Sequence, residues 1–395
     1  MDNFLDKLFD RYKWTFQEKQ ILSLIQKDLK QWGEKDLEDI WDFSKDSYHD
    51  KKEQFKKIRA YHDKLKNQAL NYQGFENKNK AQKIKIEQIQ KDSLGFGACP
   101  VASEKTRCCN LLTLDSVESC GYDCSYCSIQ SFYNHNKVVF DKDLQKKLDA
   151  IKLDPNELYH IGTGQSSDSL MWGNRFGVLD SLVEFARKNP NVLLEFKTKS
   201  NNISYFLEQK NLPKNLLFTW SLNPQIIIDN EEHLTASLDE RLKAARKMAD
   251  IGMLVGFHFH PMIYIKDFER EYGKVFEKLL KNFSAKEVAL VSLGTLTFIK
   301  PVIKKIRGRE FKTKVLQIPM ENASGKFSYP LARKEKMFSF AYESLKPWHQ
   351  DVYFYMCMED KSLWQKVFGY EYPTNESFEM DMKLNYLKKI RSKFE

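Results

Sequence analysis

The sequence predicts an α/β protein in which parallel strands form a complete or partial barrel. From residue 93 onward, short apolar runs rich in β-forming residues alternate about six times with amphipathic helical segments. Because a parallel neighbour strand cannot be reached through a tight turn, each strand needs a helical crossover. The 395-residue chain, with 42% hydrophobic and 30% charged residues, also has room for one large globular domain with additions.

Residues 1–92 are expected to form a helical N-terminal extension. They contain no cysteine and no proline, and the stretch FKKIRAYHDKLKNQALNYQ has a strongly basic exposed side. Two roles are open, packing on the main domain or contact with a polyanion, and we favour packing. Apolar residues recur at helical spacing on one predicted face: Ile21, Leu22, Leu24, Ile25, Leu29 and Trp32.

Residues 93–345 are expected to form the barrel. The strand–helix pairs begin with LYHIGTG and GVLDSLVEFARKN and end with VALVSLG and IKPVIKKIRG. Chemistry in such barrels lies at the carboxyl ends of the strands. His258 and His260 alternate on one strand, so both are predicted to face the interior, as core or loop residues. The polar residues at the predicted strand ends are Thr163, Lys199, Ser221, Asn223, His258 and His260.

Residues 346–395 are expected to form a small closing segment. It contains the aromatic-rich stretch VYFYMCMEDKSLWQKVFGYEYP and a final amphipathic helix in FEMDMKLNYLKKIRSKF. Cys357 lies in an apolar stretch, where a free thiol is expected to act as a small core residue.

Charge and hydropathy limit the class of protein. The formal net charge of +9 and the isoelectric point near 8.9 indicate a mild attraction for polyanions. We favour a solvated lysine-rich surface over a nucleic-acid groove as their explanation. No apolar run approaches the roughly 18 residues that cross a bilayer. The opening stretch MDNFLDKLFDRYKW is interrupted by charges, unlike a secretion signal. We therefore predict a cytoplasmic protein with no membrane partner.

The stretch SCGYDCSYCSIQ (residues 119–130) contains three of the seven cysteines, Cys120, Cys124 and Cys127. In an intracellular protein such clustering indicates metal binding or redox chemistry rather than disulfides. Structural zinc needs four protein ligands, for which His135, Cys108 and Cys109 are candidates. Three thiolates would instead leave one iron of a 4Fe–4S cluster free to bind S-adenosylmethionine, and we favour this interpretation.

The spacing Cys-x3-Cys-x2-Cys, with Tyr126 before the third cysteine, resembles the signature of the radical S-adenosylmethionine superfamily. The pieces CSYCSIQ, SSDSL, FKTKS, FTWSLNP, GMLVGFHFHP, FIKPVIKKI and SGKFSYP occur in the order found in the spore photoproduct lyase family, between about residues 108 and 360. This resemblance implies a partial (β/α)6 barrel, a 4Fe–4S cluster and S-adenosylmethionine as cofactors, and a lyase-like activity. In that family a 5′-deoxyadenosyl radical abstracts a hydrogen atom from a thymine dimer in DNA, which then splits.

The resemblance also assigns residues. Cys120, Cys124 and Cys127 would hold the cluster, and Tyr126, one half of the family's tyrosine pair, would be catalytic. DNA and an electron donor (a reductase, ferredoxin or flavodoxin) are the implied partners. The residues implied to bind S-adenosylmethionine are Gly162, Thr163, Gly164, Ser167, Lys199 and Ser221.

The sequence departs from the family at three places. Gln165 stands where the lyases carry a hydrogen-donating cysteine, and Ser128 replaces the second tyrosine. The hairpin expected to grip DNA, near KVLQIPMENASGKFSYP, is shorter and has few basic residues. Three hypotheses therefore stay open: DNA photoproduct cleavage, a radical enzyme of the same fold with another substrate, and a zinc-stabilised binding module.

A second group of cysteines lies upstream in GACPVASEKTRCCN: Cys99, Cys108 and Cys109. These could ligate a second metal, donate a hydrogen atom, or be buried without a reactive role, and we expect the last. If a thiol donor exists, Cys108 or Cys109 is favoured over Cys357.

Overall fold

The computed structural model describes residues 3–45, 47–76, 84–99, 105–132, 137–323 and 325–394. The strands are β1 (Lys85–Ile89), β2 (Gly95–Ala98), β3 (Leu112–Asp115), β4 (Val117–Glu118), β5 (Asp123–Cys124), β6 (Lys137–Asp141), β7 (Tyr159–Gly162), β8 (Val192–Thr198), β9 (Leu216–Ser221), β10 (Glu232–His233), β11 (Leu254–Met262), β12 (Val288–Thr295), β13 (Thr297–Ile299), β14 (Glu321–Ala323), β15 (Lys326–Ser328) and β16 (Tyr353–Met356). The helices are α1 (Asn3–Arg11), α2 (Phe16–Trp32), α3 (Leu37–Ile40), α4 (Tyr48–Asn67), α5 (Leu144–Asp149), α6 (Val178–Lys188), α7 (Ser204–Glu208), α8 (Gln225–Glu231), α9 (Leu238–Asp250), α10 (Phe268–Asn282), α11 (Lys300–Arg307), α12 (Leu331–Ser344), α13 (Ser362–Phe368) and α14 (Asn375–Phe394).

An eight-stranded curled sheet forms the centre of the molecule, in the order β16-β12-β11-β9-β8-β7-β3-β2. Every pair from β16 to β3 is parallel, and β2 is antiparallel to β3. Strands β8, β9 and β12 are almost wholly buried, as expected when helical crossovers cover a parallel sheet. The α/β class and the partial barrel predicted from strand–helix alternation are confirmed.

The segment 105–110 bridges the two edges of this sheet. It follows β2 in the chain, yet it contacts residues that follow β16 on the opposite edge. The backbone N–H of Lys361 donates to the carbonyl of Lys105 (3.2 Å), and the N–H of Cys108 donates to Asn375 Oδ1 (3.0 Å). The open side of the barrel is therefore closed by contacts between the segment that follows β2 and the residues that follow β16.

Helices α1–α4 form a unit with its own apolar cluster, drawn from residues between Phe4 and Leu65. The α2 helix begins at a capping box made by Thr15 and Glu18. Its apolar face packs as expected at Leu22, Ile25, Leu29 and Trp32, but the prediction for Leu24 is wrong, because that side chain is 39% exposed.

Buried polar contacts attach this helical unit to the barrel. Asp28 on α2 accepts two hydrogen bonds from Arg307 at 2.9 and 3.0 Å, and Gln31 Nε2 donates to the carbonyl of Ile306 (2.8 Å). These contacts support the packing role preferred for the extension.

Two strands lie outside the segments in which strands were expected. β1 pairs with β6 although it falls within residues 1–92, and β16 joins the barrel sheet although it falls within residues 346–395. The buried run Tyr353–Met356 is short, apolar and aromatic, which suits an edge strand closing against a helix. The domain boundaries themselves stay predictions. No helix in the described part of the chain is both long and apolar enough to span a membrane.

Candidate active site

The cysteine loop, residues 119–131, is held from both sides. Its strand β5 pairs antiparallel with β10, and Arg309 donates to both carboxylate oxygens of Asp123 at 2.6 Å. Gly121 donates its N–H to Met171 Sδ (3.3 Å), and a Cβ at Gly121 would lie 2.3 Å from Met171 Cε. Glycine allows this close approach, whereas a larger residue would have to displace the Met171 and Trp172 side chains.

A small cavity of about 90 Å³ brings most of the predicted site residues together. It is lined by the three cysteines of the loop and by residues at the carboxyl ends of β7, β8 and β9, where barrel chemistry is expected. The predicted residues that line it are Cys120, Cys124, Cys127, Gly164, Ser167, Lys199 and Ser221.

The donor set of this cavity fits an iron–sulfur cluster with one open iron. Its described lining contains three thiols and no further cysteine or histidine. Within the described ranges, no three His, Cys, Asp or Glu side chains converge closely enough for a single metal ion. A closed tetrahedral zinc site would need such convergence. His135, one candidate fourth ligand, lies outside the described residues. Burial raises the pKa of the Cys120 thiol to about 12, so deprotonation here would depend on a bound metal.

Three predicted site residues lie outside the small cavity. Gly162 lines a neighbouring, larger cavity. The Thr163 hydroxyl oxygen lies within hydrogen-bond distance of Ser169 Oγ (2.9 Å) and of the carbonyl oxygen of Glu195 (3.1 Å), so it stabilises its own loop. The hydroxyl of Tyr126 donates to Glu232, and its ring lines neither cavity.

Glu232 anchors Tyr126 within a buried ion pair. Arg241 Nη2 lies 2.7 Å from Glu232 Oε2, and Asn223 Nδ2 donates to Oε1 (2.8 Å). Although burial opposes ionisation, Arg241 and the nearby Lys199 hold the pKa of Glu232 to about 2. The arrangement fixes the cysteine loop against β10 and gives Asn223 a structural place, whereas a catalytic role for Tyr126 stays a prediction.

Asp168 organises the cofactor-side loop, and the sequence analysis missed it. Its Oδ1 accepts from the N–H groups of Leu170 (3.0 Å) and Met171 (2.9 Å) and from Thr198 Oγ1 (2.7 Å). Its Oδ2 accepts from the N–H of Lys199 (2.6 Å). An aspartate directly after a strand-end loop, as in SSDSL, is the signal that could have identified it.

The larger cavity, about 400 Å³, adjoins the smaller one, because Gly164 and Lys197 line both. Gln165 also lines it, as do Ser128 from the cysteine loop and Phe132 directly after that loop. Four cysteines face this space: Cys99, Cys108, Cys109 and Cys357. Cys108 is buried, as expected, and Cys109 and Cys357 are partly buried and pack against the hydrophobic core. The expectation that these thiols have no reactive role stays a prediction. The three upstream cysteines and Cys357 line one cavity because the barrel closes between its edge strands, β2 and β16.

The family model for spore photoproduct lyase matches residues 104–337, more than half of the chain. The chain belongs to the spore photoproduct lyase family. A spore photoproduct lyase of Clostridium acetobutylicum is 25% identical over 224 residues, covering 55% of this chain and 64% of that relative. One from a Geobacillus species is 30% identical over 139 residues, covering 35% and 40%. The chain thus spans less than two thirds of the length of these relatives.

Solved structures of spore photoproduct lyase share the fold. One, a mutant with bound AdoMet and dinucleoside spore photoproduct, aligns with a TM-score of 0.57 at 20% identity, covering 69% of this chain and 82% of that one. Another, complexed with dinucleoside spore photoproduct, aligns with a TM-score of 0.56 at 19% identity and the same coverage. The likeness to these lyases confirms the partial barrel.

In this member of the spore photoproduct lyase family, Gly164→Ala is expected to disturb the junction of the two cavities. The added Cβ would lie 2.7 Å from the Lys197 carbonyl oxygen, and backbone cannot move aside cheaply. We expect a loss of roughly 1–3 kcal/mol in the free energy of unfolding. We also expect weaker binding of S-adenosylmethionine, measured by calorimetry on reconstituted protein.

Gly97→Ala is the matched control, because nothing lies within 4 Å of the added Cβ at that strand position. Its thermal midpoint and cofactor affinity should stay at the wild-type values. If Gly164→Ala and Gly97→Ala have the same thermal midpoint and the same cofactor affinity, the close approach of the backbone at Gly164 is contradicted.

Proposed function

We propose that this protein is a radical S-adenosylmethionine enzyme that cleaves a DNA photoproduct of the thymine-dimer type. The observation that carries the proposal is the small cavity, in which three thiols of one loop meet the strand-end residues Ser167, Lys199 and Ser221. A 4Fe–4S cluster with S-adenosylmethionine would supply a 5′-deoxyadenosyl radical for hydrogen-atom abstraction.

The side chains of the small cavity would bind and orient the cluster and S-adenosylmethionine. Cys120, Cys124 and Cys127 would hold the cluster. The Lys199 ammonium suits the carboxylate of S-adenosylmethionine, and the hydroxyls of Ser167 and Ser221 suit its ribose. A one-electron carrier such as a ferredoxin or flavodoxin would supply the electron.

The larger cavity would receive the substrate. A volume near 400 Å³ falls in the range of ligand sites, and the cavity shares Gly164 and Lys197 with the cofactor side. Its rim includes Phe132, whose ring is 66% exposed and could stack on a base. Solved relatives hold a dinucleoside spore photoproduct. A base within duplex DNA would have to be extruded to enter.

Cys109 is our proposed hydrogen donor in place of the missing loop cysteine. Gln165 has no weak S–H bond, but Cys109 lines the same cavity. Its hydrogen bond with Cys108, together with burial, raises the pKa of Cys109 well above its usual value, so this thiol keeps its hydrogen. A substrate carbon radical would take that hydrogen atom and leave a thiyl radical. One electron from the carrier and one proton would restore the thiol.

A second candidate function is the same radical chemistry on another substrate. The observation that favours it is Gln165, an amide at the junction where the lyases carry a thiol. Substrate tests separate the two candidates.

The test is anaerobic reconstitution followed by reaction with the dinucleoside spore photoproduct. We expect about four irons per chain, reductive cleavage of S-adenosylmethionine, and thymine release. If the reaction runs in D2O, the repaired thymine should carry deuterium, because thiols exchange with solvent. Absence of both repair and any trapped adduct would remove the photoproduct hypothesis. Colourless, zinc-loaded protein would remove both radical hypotheses.

Variants at the donor position refine this test. Cys109→Ala should slow repair and misdirect closure of the thymine radical, and Gln165→Cys in the same background should restore it. Gln165→Ala is the matched control, which changes the same side chain without adding a thiol. Full repair by Cys109→Ala would exclude Cys109 as the donor.

A further inference from the structure

A continuous chain of hydrogen bonds runs across the interior of the barrel at the floor of the larger cavity. Lys197 Nζ lies 3.5 Å from His260 Nδ1, and His260 Nε2 lies 2.8 Å from Ser292 Oγ. Ser292 Oγ lies 2.6 Å from His258 Nδ1, and His258 Nε2 lies 2.6 Å from Glu195 Oε1. The chain therefore links strands β8, β11 and β12 and begins and ends on β8.

The direction of this chain is set by its acidic end. A carboxylate only accepts, so His258 donates from Nε2 and its Nδ1 must accept the Ser292 hydroxyl proton. The Ser292 hydroxyl then has no hydrogen left for His260, so His260 Nε2 donates to Ser292 Oγ. His260 Nδ1 in turn accepts from the Lys197 ammonium. Burial lowers the pKa of His258 to about 4, which agrees with a neutral ring.

Glu195 accepts three hydrogen bonds at this end of the hydrogen-bond chain. Besides His258, it accepts from His160 Nε2 (2.8 Å) and Thr219 Oγ1 (2.6 Å). Although burial opposes it, His258 and His160 hold the pKa of Glu195 well below its usual range. Glu195 therefore serves as the fixed negative end of the hydrogen-bond chain.

Lys197 is the opposite, unsaturated end. It lines both cavities, and among the described residues no carboxylate lies within ion-pairing distance of its ammonium. An ammonium carries three donors, and the long contact to His260 uses one. Lys197 is partly buried and faces both cavities, and enclosed donors without acceptors are costly, so an oxygen of a bound molecule is expected there.

Two observations indicate which molecule supplies that oxygen. His260, the contact of Lys197, lines only the larger cavity, whereas Lys199 already faces the small cavity beside the cysteines. The charge of Lys197 is balanced along the chain by Glu195, so the site favours a neutral acceptor over a phosphate.

We propose that Lys197 anchors the substrate by donating a hydrogen bond to a ring carbonyl oxygen, of the kind a pyrimidine imide presents, and that the Ser292 chain positions its ammonium. This rests on the proposed function for the substrate class. The imide carbonyls lie beside the carbons that change bonding, so the contact would place the reacting carbon at the junction with the cofactor cavity.

The test measures binding without turnover, in reconstituted, unreduced protein with S-adenosylmethionine present. The probe is the dinucleoside spore photoproduct, titrated calorimetrically. Lys197→Met should raise its Kd by about tenfold or more, since hydrogen bonds to charged groups are the strong ones. Ser292→Ala, which interrupts the chain with a smaller side chain, should raise Kd by a lesser factor. Ser292→Ala, whose side chain lines neither cavity, should leave the Kd of S-adenosylmethionine unchanged, and Lys197→Met should affect that Kd less than it affects the Kd of the probe. Lys326→Met, which removes a cation from the same cavity outside the chain, should affect the probe less than Lys197→Met.

Each other outcome decides against a part of the proposal. Weaker binding of S-adenosylmethionine with unchanged probe affinity would make Lys197 a cofactor ligand. If Lys197→Met weakens binding only of a probe that contains the phosphodiester, then Lys197 contacts a phosphate oxygen and not a ring carbonyl. If Ser292→Ala binds the probe with the wild-type Kd, the hydrogen-bond chain does not position Lys197. If the wild-type protein binds no probe, both the inference and the proposed substrate class are wrong. Tight, Lys197-dependent binding without repair after reduction would instead mean that only the proposed function fails.

Discussion

Replacing Cys124 by alanine is expected to abolish assembly of the iron–sulfur cluster and reductive cleavage of S-adenosylmethionine. Cys124 is buried on β5, between Cys120 and Cys127, and all three line the small cavity. The described lining offers no other thiol or imidazole that could substitute for it. Iron per chain and 5′-deoxyadenosine formation, both measured after anaerobic reconstitution, should fall to background.

Cys357→Ala is the matched control for this experiment. It removes a partly buried cysteine that lines the larger cavity instead. Its iron content should equal that of the wild type. A Cys124→Ala protein that retains a full complement of iron would show that the cysteine loop does not hold the cluster.

The second large effect is expected from Arg241→Met, which removes one partner of a buried ion pair. The Arg241 and Glu232 side chains are both fully buried, and Arg241 also donates to the carbonyl of Ser221 (2.8 Å). Breaking such a pair leaves an uncompensated buried charge, which costs about 3–5 kcal/mol in the free energy of unfolding. Because Glu232 also holds Tyr126, the variant should lose cluster-loop order and cofactor binding as well.

The pH dependence of this loss follows from Glu232. In the wild type its folded pKa, about 2, lies below the unfolded value of about 4.3. Its contribution is therefore complete above the unfolded pKa and is lost as the pH falls toward the folded one. Without Arg241, burial raises the pKa of Glu232 in the folded state. Protonation of Glu232 at low pH therefore removes the uncompensated charge and part of the loss in stability.

The difference in stability between wild type and Arg241→Met should be largest at neutral pH and shrink below about pH 5. Denaturant titrations at several pH values measure it. Arg187→Met removes a surface partner of Glu184, where both side chains are at least 40% exposed, and should cost less than about 1 kcal/mol at any pH. A pH-independent loss for Arg241→Met would contradict the ion-pair explanation.

Local patterns in the sequence predicted part of the cofactor side of the site. The cysteine spacing identified the loop, and the strand ends included Lys199 and Ser221. Ser167 was indicated only by the family resemblance, and the cofactor-binding roles of all three residues stay predictions. Parallel strands bring their carboxyl ends to one edge, so residues far apart in sequence became neighbours by a simple rule.

The substrate side could not be predicted in the same way. Cys99, Cys108 and Cys109 lie near one edge of the sheet and Cys357 near the other, and only closure of the barrel brings them into one cavity. Nothing in the local sequence of VYFYMCM indicates this distant contact. Glu195 and Lys197 did leave a signal, since charged residues within the buried strand VLLEFKT need partners.

The bridging segment 105–110 has a consequence for how the protein is made. The wall it contributes to the thiol-lined cavity depends on residues near Lys361 and Asn375, which are translated long after the cysteine loop. During synthesis, the ribosome must therefore release nearly the whole polypeptide before this side of the thiol-lined cavity can close. Completion of that cavity is consequently expected after translation, on a finished chain and not on a nascent one.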